Sequence, residues 1–235
     1  MPRDLTPVME DYLKAIFQLG RTGRRVTTRA LARHFGVKPA TVTQTLQRLA
    51  ALRLVEYEPY RGVTLTEAGR RIALEVIRHH RLIEQYLHQV LGIPWHRVHQ
   101  EAERWEHVIS EEVEERMAEV LGHPRQDPHG APIPGPDLSW QEEPLEPLSD
   151  LAPGDRARVA QVADEDPELL LYLEARGLLP RAEVQVVARE PVSEDLWVII
   201  QGHRHRVAHR AACQVWVQRL ASGPAEPVDP DLGTP

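Results

Sequence analysis

The sequence predicts a mainly α-helical protein with small β elements: a winged helix-turn-helix at the N-terminus, a helical trunk and a strand-rich C-terminal domain. Three observations carry that reading. From Thr6 to about Leu121 apolar residues recur at helical spacing, interrupted by one short strand pair. Gly122 to Pro147 ("GHPRQDPHGAPIPGPDLSWQEEPLEP") is rich in proline and is expected to be rigid and extended or irregular. From about Leu148 to Leu220 the runs "EVQVVARE", "LWVIIQG" and "CQVWVQRL" alternate as strands do, behind one helix, "DEDPELLLYLEARG". The boundaries follow: 1–72, 73–147 with the Pro-rich linker 122–147, 148–220, and a tail at 221–235 whose composition predicts disorder.

In the head, "VTTRALARHFGVKPATVTQTLQRLAALRLVEY" holds two short helical patterns that meet at a glycine. Thr27 or Thr28 caps the first, with Ala30, Leu31 and Phe35 on its apolar side. Gly36 permits the sharp turn and Val37 is suited to plug the corner. The second helix starts near Pro39 and buries Val42, Leu46 and Leu49. Its other side offers Lys38, Thr41, Thr43, Gln44, Gln47 and Arg48: hydroxyls and cations for phosphates, amides for base edges. The strands "LVEYE" and "VTLT" make a hairpin, or wing, with Arg61 at its tip, and Thr66 caps the next helix. Two amphipathic helices of a plain bundle would need neither the wing nor the local charge.

Net charge is -7, but it is divided. Residues 1–72 carry 13 Lys/Arg against 6 Asp/Glu, and the remainder 15 against 29. A basic head on an acidic body implies that only the head meets a polyanion, here double-stranded DNA. One cysteine, Cys213, excludes an internal disulfide framework and a cysteine-rich zinc site. No apolar run approaches the roughly 20 residues that span a bilayer, and the first residues lack a signal-peptide core, so no membrane association and a cytoplasmic location are expected.

Two helical patterns follow the wing: "EAGRRIALEVIRHHRLIEQYLHQVLG", stopped by Gly92, and a single helix from Pro94 or Trp95 to Gly122. In the second, Trp105, Ile109, Val113, Met117 and Val120 form an apolar stripe wider than one small domain needs, as a helix–helix dimer interface would require. The same helices carry ligand-capable groups. His80 and Glu84 are i,i+4 neighbours. His99, Glu103 and Glu106 project within about 60° of one another on an ideal helix, with His107 beside Glu106. Glu103, Glu106 and His107 can hold one divalent cation, and His80, Glu84 and His99 a second. Taken singly, each of these residues reads as an ordinary solvated side chain. His203, His205 and His209, in "QGHRHRVAH", read as an exposed polar strand and its neighbour.

The chain resembles the metal-dependent repressors typified by the diphtheria toxin repressor, the iron-dependent regulator and the manganese transport regulator. "MEDYLKAIFQL", "PATVTQTLQRL", "LTEAGRRIA", "RHHRLIEQYL", "VHQEAERWEHVISEEVEERM" and "HGAPIPG" carry the likeness, over roughly Thr6 to Pro136. The part after Leu148 resembles the SH3-like β-barrel of the longer, iron-type members. The resemblance implies a homodimeric repressor that binds operator DNA when loaded with about two metal ions per subunit. Carried over by position, the primary ligands would be Asp11, Glu103, Glu106 and His107. The ancillary ligands would be His80, Glu84 and His99, with Gln161 and Asp164 from the C-terminal domain. Gln44 matches the family's helix-turn-helix glutamine.

Iron-type members have methionine where this chain has Asp11 and cysteine where it has Glu103. Hard oxygen in place of soft sulfur favours Mn2+, with Fe2+ second. The manganese regulator has a glutamate where this chain has Lys14, so its paired-metal chemistry does not transfer. The alternative reading is a winged-helix regulator that answers to a small organic molecule. An enzyme is not expected: there is no HExxH and no nucleophile with a paired base. The Pro-rich segment is either a tether or a ligand of the SH3-like domain.

Overall fold

A computed structural model describes residues 5–21, 23–141 and 144–220. The tail at 221–235, for which disorder was expected, lies outside the described residues. The chain divides into two compact units that interleave in sequence. The first holds residues up to Gly92, Gln100–Asp127 and Pro132–Gln141, and the second Ile93–His99, Pro128–Ala131 and the chain from Glu142.

The first unit begins with α1 (Pro7–Leu19), where the Thr6 side chain accepts from Met9 N and proline occupies the first turn. Next come α2 (Thr28–His34), capped by Thr27, and α3 (Pro39–Ala51). Between them Gly36 takes φ 62°. Gly36 N donates to Arg33 O and Val37 N to Ala32 O, closing α2 with a Schellman motif. This geometry turns Val37 outward, 38% exposed, rather than into the corner. Phe35 takes that place, stacked on Tyr12 at 4.3 Å. Val42, Leu46 and Leu49 are fully buried.

The wing pairs β1 (Val55–Glu58) with β2 (Gly62–Leu65) in antiparallel register, and Val26 adds a bridge to Val63. Thr66 caps α4 (Glu67–Gln89). At Gly69 a Cβ would stand 1.9 Å from Leu54 O, so only glycine lets α4 start against the chain entering the wing. Helix α4 then packs along α1, and Ala73, Leu74 and Ile77 join the core of the head.

The helix expected from Trp95 to Gly122 is two helices, α5 (Trp95–Trp105) and α6 (Glu111–Val120). Ser110 explains the break, because its hydroxyl accepts from Val113 N and Glu111, Glu112 and Glu114 fill the first turn of α6. Glu106 N still bonds Ala102 O at 2.9 Å as the last helical link, and His107 lies in the turn that follows α5. Helix α6 packs on α4 through Ala118, Leu121 and Leu82.

The Pro-rich stretch is divided between the units. Leu138 and Trp140 pack on the core of the first unit, where Trp140 meets Phe17 edge-on at 5.3 Å and lies under the Arg81 guanidinium at 5.4 Å. Its end forms β3 (Glu146–Pro147) in the second unit, paired with β8 (Val215–Arg219).

That second unit is an antiparallel six-stranded sheet, completed by β4 (Arg156–Val162), β5 (Glu183–Arg189), β6 (Leu196–Ile200) and β7 (His203–Val207). The order is β3-β8-β4-β5-β6-β7. The expected barrel is thus an SH3-like sheet that does not close, since β3 and β7 each have one strand neighbour. Helix α7 (Pro167–Glu174) caps the outer side of β7: Tyr172 Oη and Arg176 Nε donate to Arg206 O, at 3.3 and 3.2 Å. The short α8 (His209–Ala212) precedes β8. Val159, Val186, Val198, Val215 and Val217, with Leu170 and Leu173 of α7, fill the core.

Candidate metal centre and DNA-reading surface

Three segments of the first unit converge on one polar cluster. Helix α1 supplies Glu10, Asp11 and Lys14, α4 supplies His79, His80 and Glu84, and the turn after α5 supplies Glu106 and His107. His107 Nε2 lies 2.9 Å from Asp11 Oδ1 and 3.4 Å from Glu106 Oε1. Its other nitrogen, Nδ1, donates to Glu10 Oε2 at 2.6 Å. Asp11, Glu106 and His107 each present a ligand atom within 4.8 Å of the others. Two carboxylates and an imidazole at that spacing fit a divalent first-row ion, so the residues present suit the group the sequence implies. Glu103 is exposed on the last turn of α5 and is not part of this grouping.

Electrostatics of the cluster follow from burial. Burial opposes charge on His107, yet Asp11, Glu10 and Glu106 outweigh it and raise the imidazole to about 10. Burial also opposes charge on Glu106, but His80 and Lys14 hold its carboxyl down at about 2. Lys14 Nζ donates to both oxygens of Glu106, at 3.0 and 2.9 Å, and lies 3.2 Å from His80 Nδ1. His80 Nδ1 bonds Glu106 as well, and His80 Nε2 lies 3.1 Å from Glu84 Oε1. Burial lowers the His80 pKa and Lys14 does too, but Glu84 and Glu106 prevail and raise it.

Beside this cluster Arg78 Nε bonds Glu114 Oε1, while His79 bridges Glu114 Oε2 at 2.9 Å and Glu106 O at 3.2 Å. The sequence reading did not single out Glu10, Arg78, His79 or Glu114. Signals were available: "MED" places two acids side by side, and "RHH" puts three polar residues inside the apolar stretch of α4.

Of the other predicted ligands, the second unit brings together His99 and Asp164, with Nδ1 3.6 Å from Oδ2. His129 Nδ1 lies 3.9 Å from the same oxygen, and its Nε2 donates to Trp95 O at 2.9 Å. Gln161 sits three residues before Asp164, at an irregularity in the β4–β8 register. His203 is exposed and His205 half-buried on β7.

On the head, Lys38, Thr41, Gln44, Gln47 and Arg48 are exposed along one side of α3. Thr43 is half-buried and its hydroxyl donates back to Pro39 O at 3.0 Å. Arg61 is exposed at the wing tip, paired with Glu58 at 2.9 Å, beside the fully exposed Tyr60. Among the described residues, no helix is long and apolar enough to cross a membrane.

Comparison with known proteins agrees with this layout. The pattern "Iron dependent repressor, N-terminal DNA binding domain" matches residues 4–63, and "Iron dependent repressor, metal binding and dimerisation domain" matches residues 66–135. A FeoA domain matches residues 146–219. The iron-dependent repressor IdeR of Mycobacterium leprae is 35% identical over 230 residues, covering 92% of this chain and 99% of that one. The diphtheria toxin repressor of Corynebacterium efficiens is 35% identical over 195 residues, covering 79% and 85%. Among solved structures, a manganese-dependent transcriptional repressor in complex with manganese superposes with TM-score 0.84 and 36% identity, covering 90% of this chain and 100% of that one. ScaR with bound Cd2+ gives 0.77 and 30%, covering 90% and 99%.

These relatives are repressors rather than enzymes, and they favour a metal over the organic effector of the alternative reading. A winged DNA-reading head, a trunk matching a metal-binding and dimerisation domain and a FeoA-type sheet occur in one order along nearly the whole length. The chain therefore belongs to the family of the diphtheria toxin repressor and IdeR, as a metal-dependent transcriptional repressor that uses a divalent cation.

Proposed function

We propose that this repressor binds double-stranded operator DNA as a homodimer when a divalent ion, Mn2+ in preference to Fe2+, is held by Asp11, Glu106 and His107. One observation carries the reading: Asp11, on the first helix of the DNA-binding head, lies 2.9 Å from His107, which the turn between α5 and α6 supplies. A bound cation would neutralise these carboxylates and tie that helix to the turn, fixing the angle of the head. Coordination requires the neutral imidazole of His107, so metal loading is coupled to proton release.

The all-oxygen-and-nitrogen donor set supports Mn2+, since no thiolate or thioether is present to reward a softer ion. Glu103 joins the ligand set through the family resemblance carried over by position. Gln44 and Gln47 are proposed to read base edges, with Lys38, Thr41, Thr43, Arg48 and Arg61 on phosphates. The homodimer is supported by apolar side chains left exposed on the trunk, Trp105, Val108, Val113 and Val120 among them.

The test is an anaerobic operator titration against Mn2+ and Fe2+, with bound metal counted per subunit against the expected two ions. Asp11→Ala and His107→Ala are expected to lose at least tenfold in metal-stimulated operator affinity, and Glu103→Ala tests the remaining carboxylate. Full metal dependence in Asp11→Ala sinks the reading.

A further inference from the structure

Lys14 is a cation built into the metal centre. It stands one turn after Asp11 on the same face of α1 and is mostly buried, with both oxygens of Glu106 within 3.0 Å of its Nζ. His80 Nδ1, 3.2 Å away, completes its surroundings. Glu106 is therefore saturated: one oxygen takes Lys14 and His80, the other Lys14 with His107 Nε2 at 3.4 Å. Any ion that shares Glu106 with Asp11 and His107 meets the Lys14 ammonium on the same carboxylate.

We propose that Lys14 competes with the metal for Glu106 and so sets the metal concentration at which the repressor loads. The inference rests on the metal reading above. Two physical effects act in the same direction. Like charge beside the ion weakens its binding, and the Lys14–Glu106 pair stabilises the cluster in the absence of an ion by adding a full cation to the partners His80 already gives the buried Glu106 carboxylate. A lysine does this where a neutral residue cannot, and its long flexible stem lets the ammonium yield without unpacking α1.

The experiment measures Mn2+ binding by competition with a fluorescent chelator, using the full chain, Lys14→Met, Lys14→Arg and Asp11→Ala. Lys14→Met keeps the length and removes the charge. It is expected to bind Mn2+ about tenfold or more tightly at the step that Asp11→Ala abolishes, while Lys14→Arg stays near the parent. Thermal melts supply a second readout: Mn2+ should raise the melting temperature of Lys14→Met by more than that of the parent. Equal or weaker Mn2+ affinity in Lys14→Met, or an equal or smaller thermal gain, overturns the role of Lys14. If Asp11→Ala binds Mn2+ as the parent does, the metal reading itself falls, and the two failures are distinguishable.

Discussion

Individual residues in the cluster act through charge that burial makes expensive. Glu114 pairs with two side chains at once, Arg78 and His79, all three largely buried. Glu114→Gln leaves the guanidinium without its counter-charge, and a loss of about 3 kcal/mol is expected in denaturant melts of the metal-free protein. The pH dependence has a definite sign. Burial opposes the charge on Glu114, but His79 and Arg78 keep its carboxyl below the ordinary value, so its contribution is present above about pH 4.5 and fades as pH falls through the lower value. Burial also opposes the charge on His79, yet Glu114 raises it, so that contribution is full below about pH 6.5 and fades as pH rises through the higher value. The gap between parent and Glu114→Gln should be widest between these limits; a gap that grows toward pH 9 would contradict the assignment.

At the scale of elements, the break between α5 and α6 decides the chemistry. Ser110 stops the helical continuation, and the five residues before α6 then turn Glu106 and His107 toward α1. Ser110→Ala removes the cap and should cost about 1 kcal/mol of stability, read by chemical denaturation, with weaker Mn2+ binding because the turn is less well held. Unchanged metal affinity alongside the stability loss would separate the cap from the site. In the head, by contrast, each element follows its local signal: Thr27, Gly36, Pro39 and Thr66 all stand where caps and turns need them.

For the whole molecule, the exposed apolar side chains of the trunk are the feature a single chain leaves without explanation. Val113 is 44% exposed on α6 and Val120 64%. If the proposed homodimer forms through α6, Val113→Asp is expected to shift the protein to monomer in sedimentation or light scattering and to weaken operator binding at least tenfold, since a dimer binds two half-sites together. The helical content in circular dichroism should not change. A variant that stays dimeric removes α6 from the interface. The division of the Pro-rich stretch belongs to this scale as well: it gives Leu138 and Trp140 to the core of the first unit and Glu146–Pro147 to the sheet of the second, so it is structural in both.

Local grammar alone was enough to predict the winged head, the long α4, the strand-rich last domain and the basic–acidic division, because caps, glycine turns and apolar periodicity act over a few residues. The family resemblance grouped Asp11 with Glu106 and His107, but only tertiary structure brought Glu10 and Lys14 into that cluster. Asp11 and Glu10 reach His107 across more than ninety residues of chain, and Lys14 reaches Glu106 across a similar distance. No periodicity encodes such contacts; they arise because α1 packs on α4 and a cap at Ser110 ends a helical pattern that the sequence continues. The open sheet has the same origin: whether two edge strands meet depends on twist and on what covers β7, here Tyr172 and Arg176, rather than on the alternation within each strand.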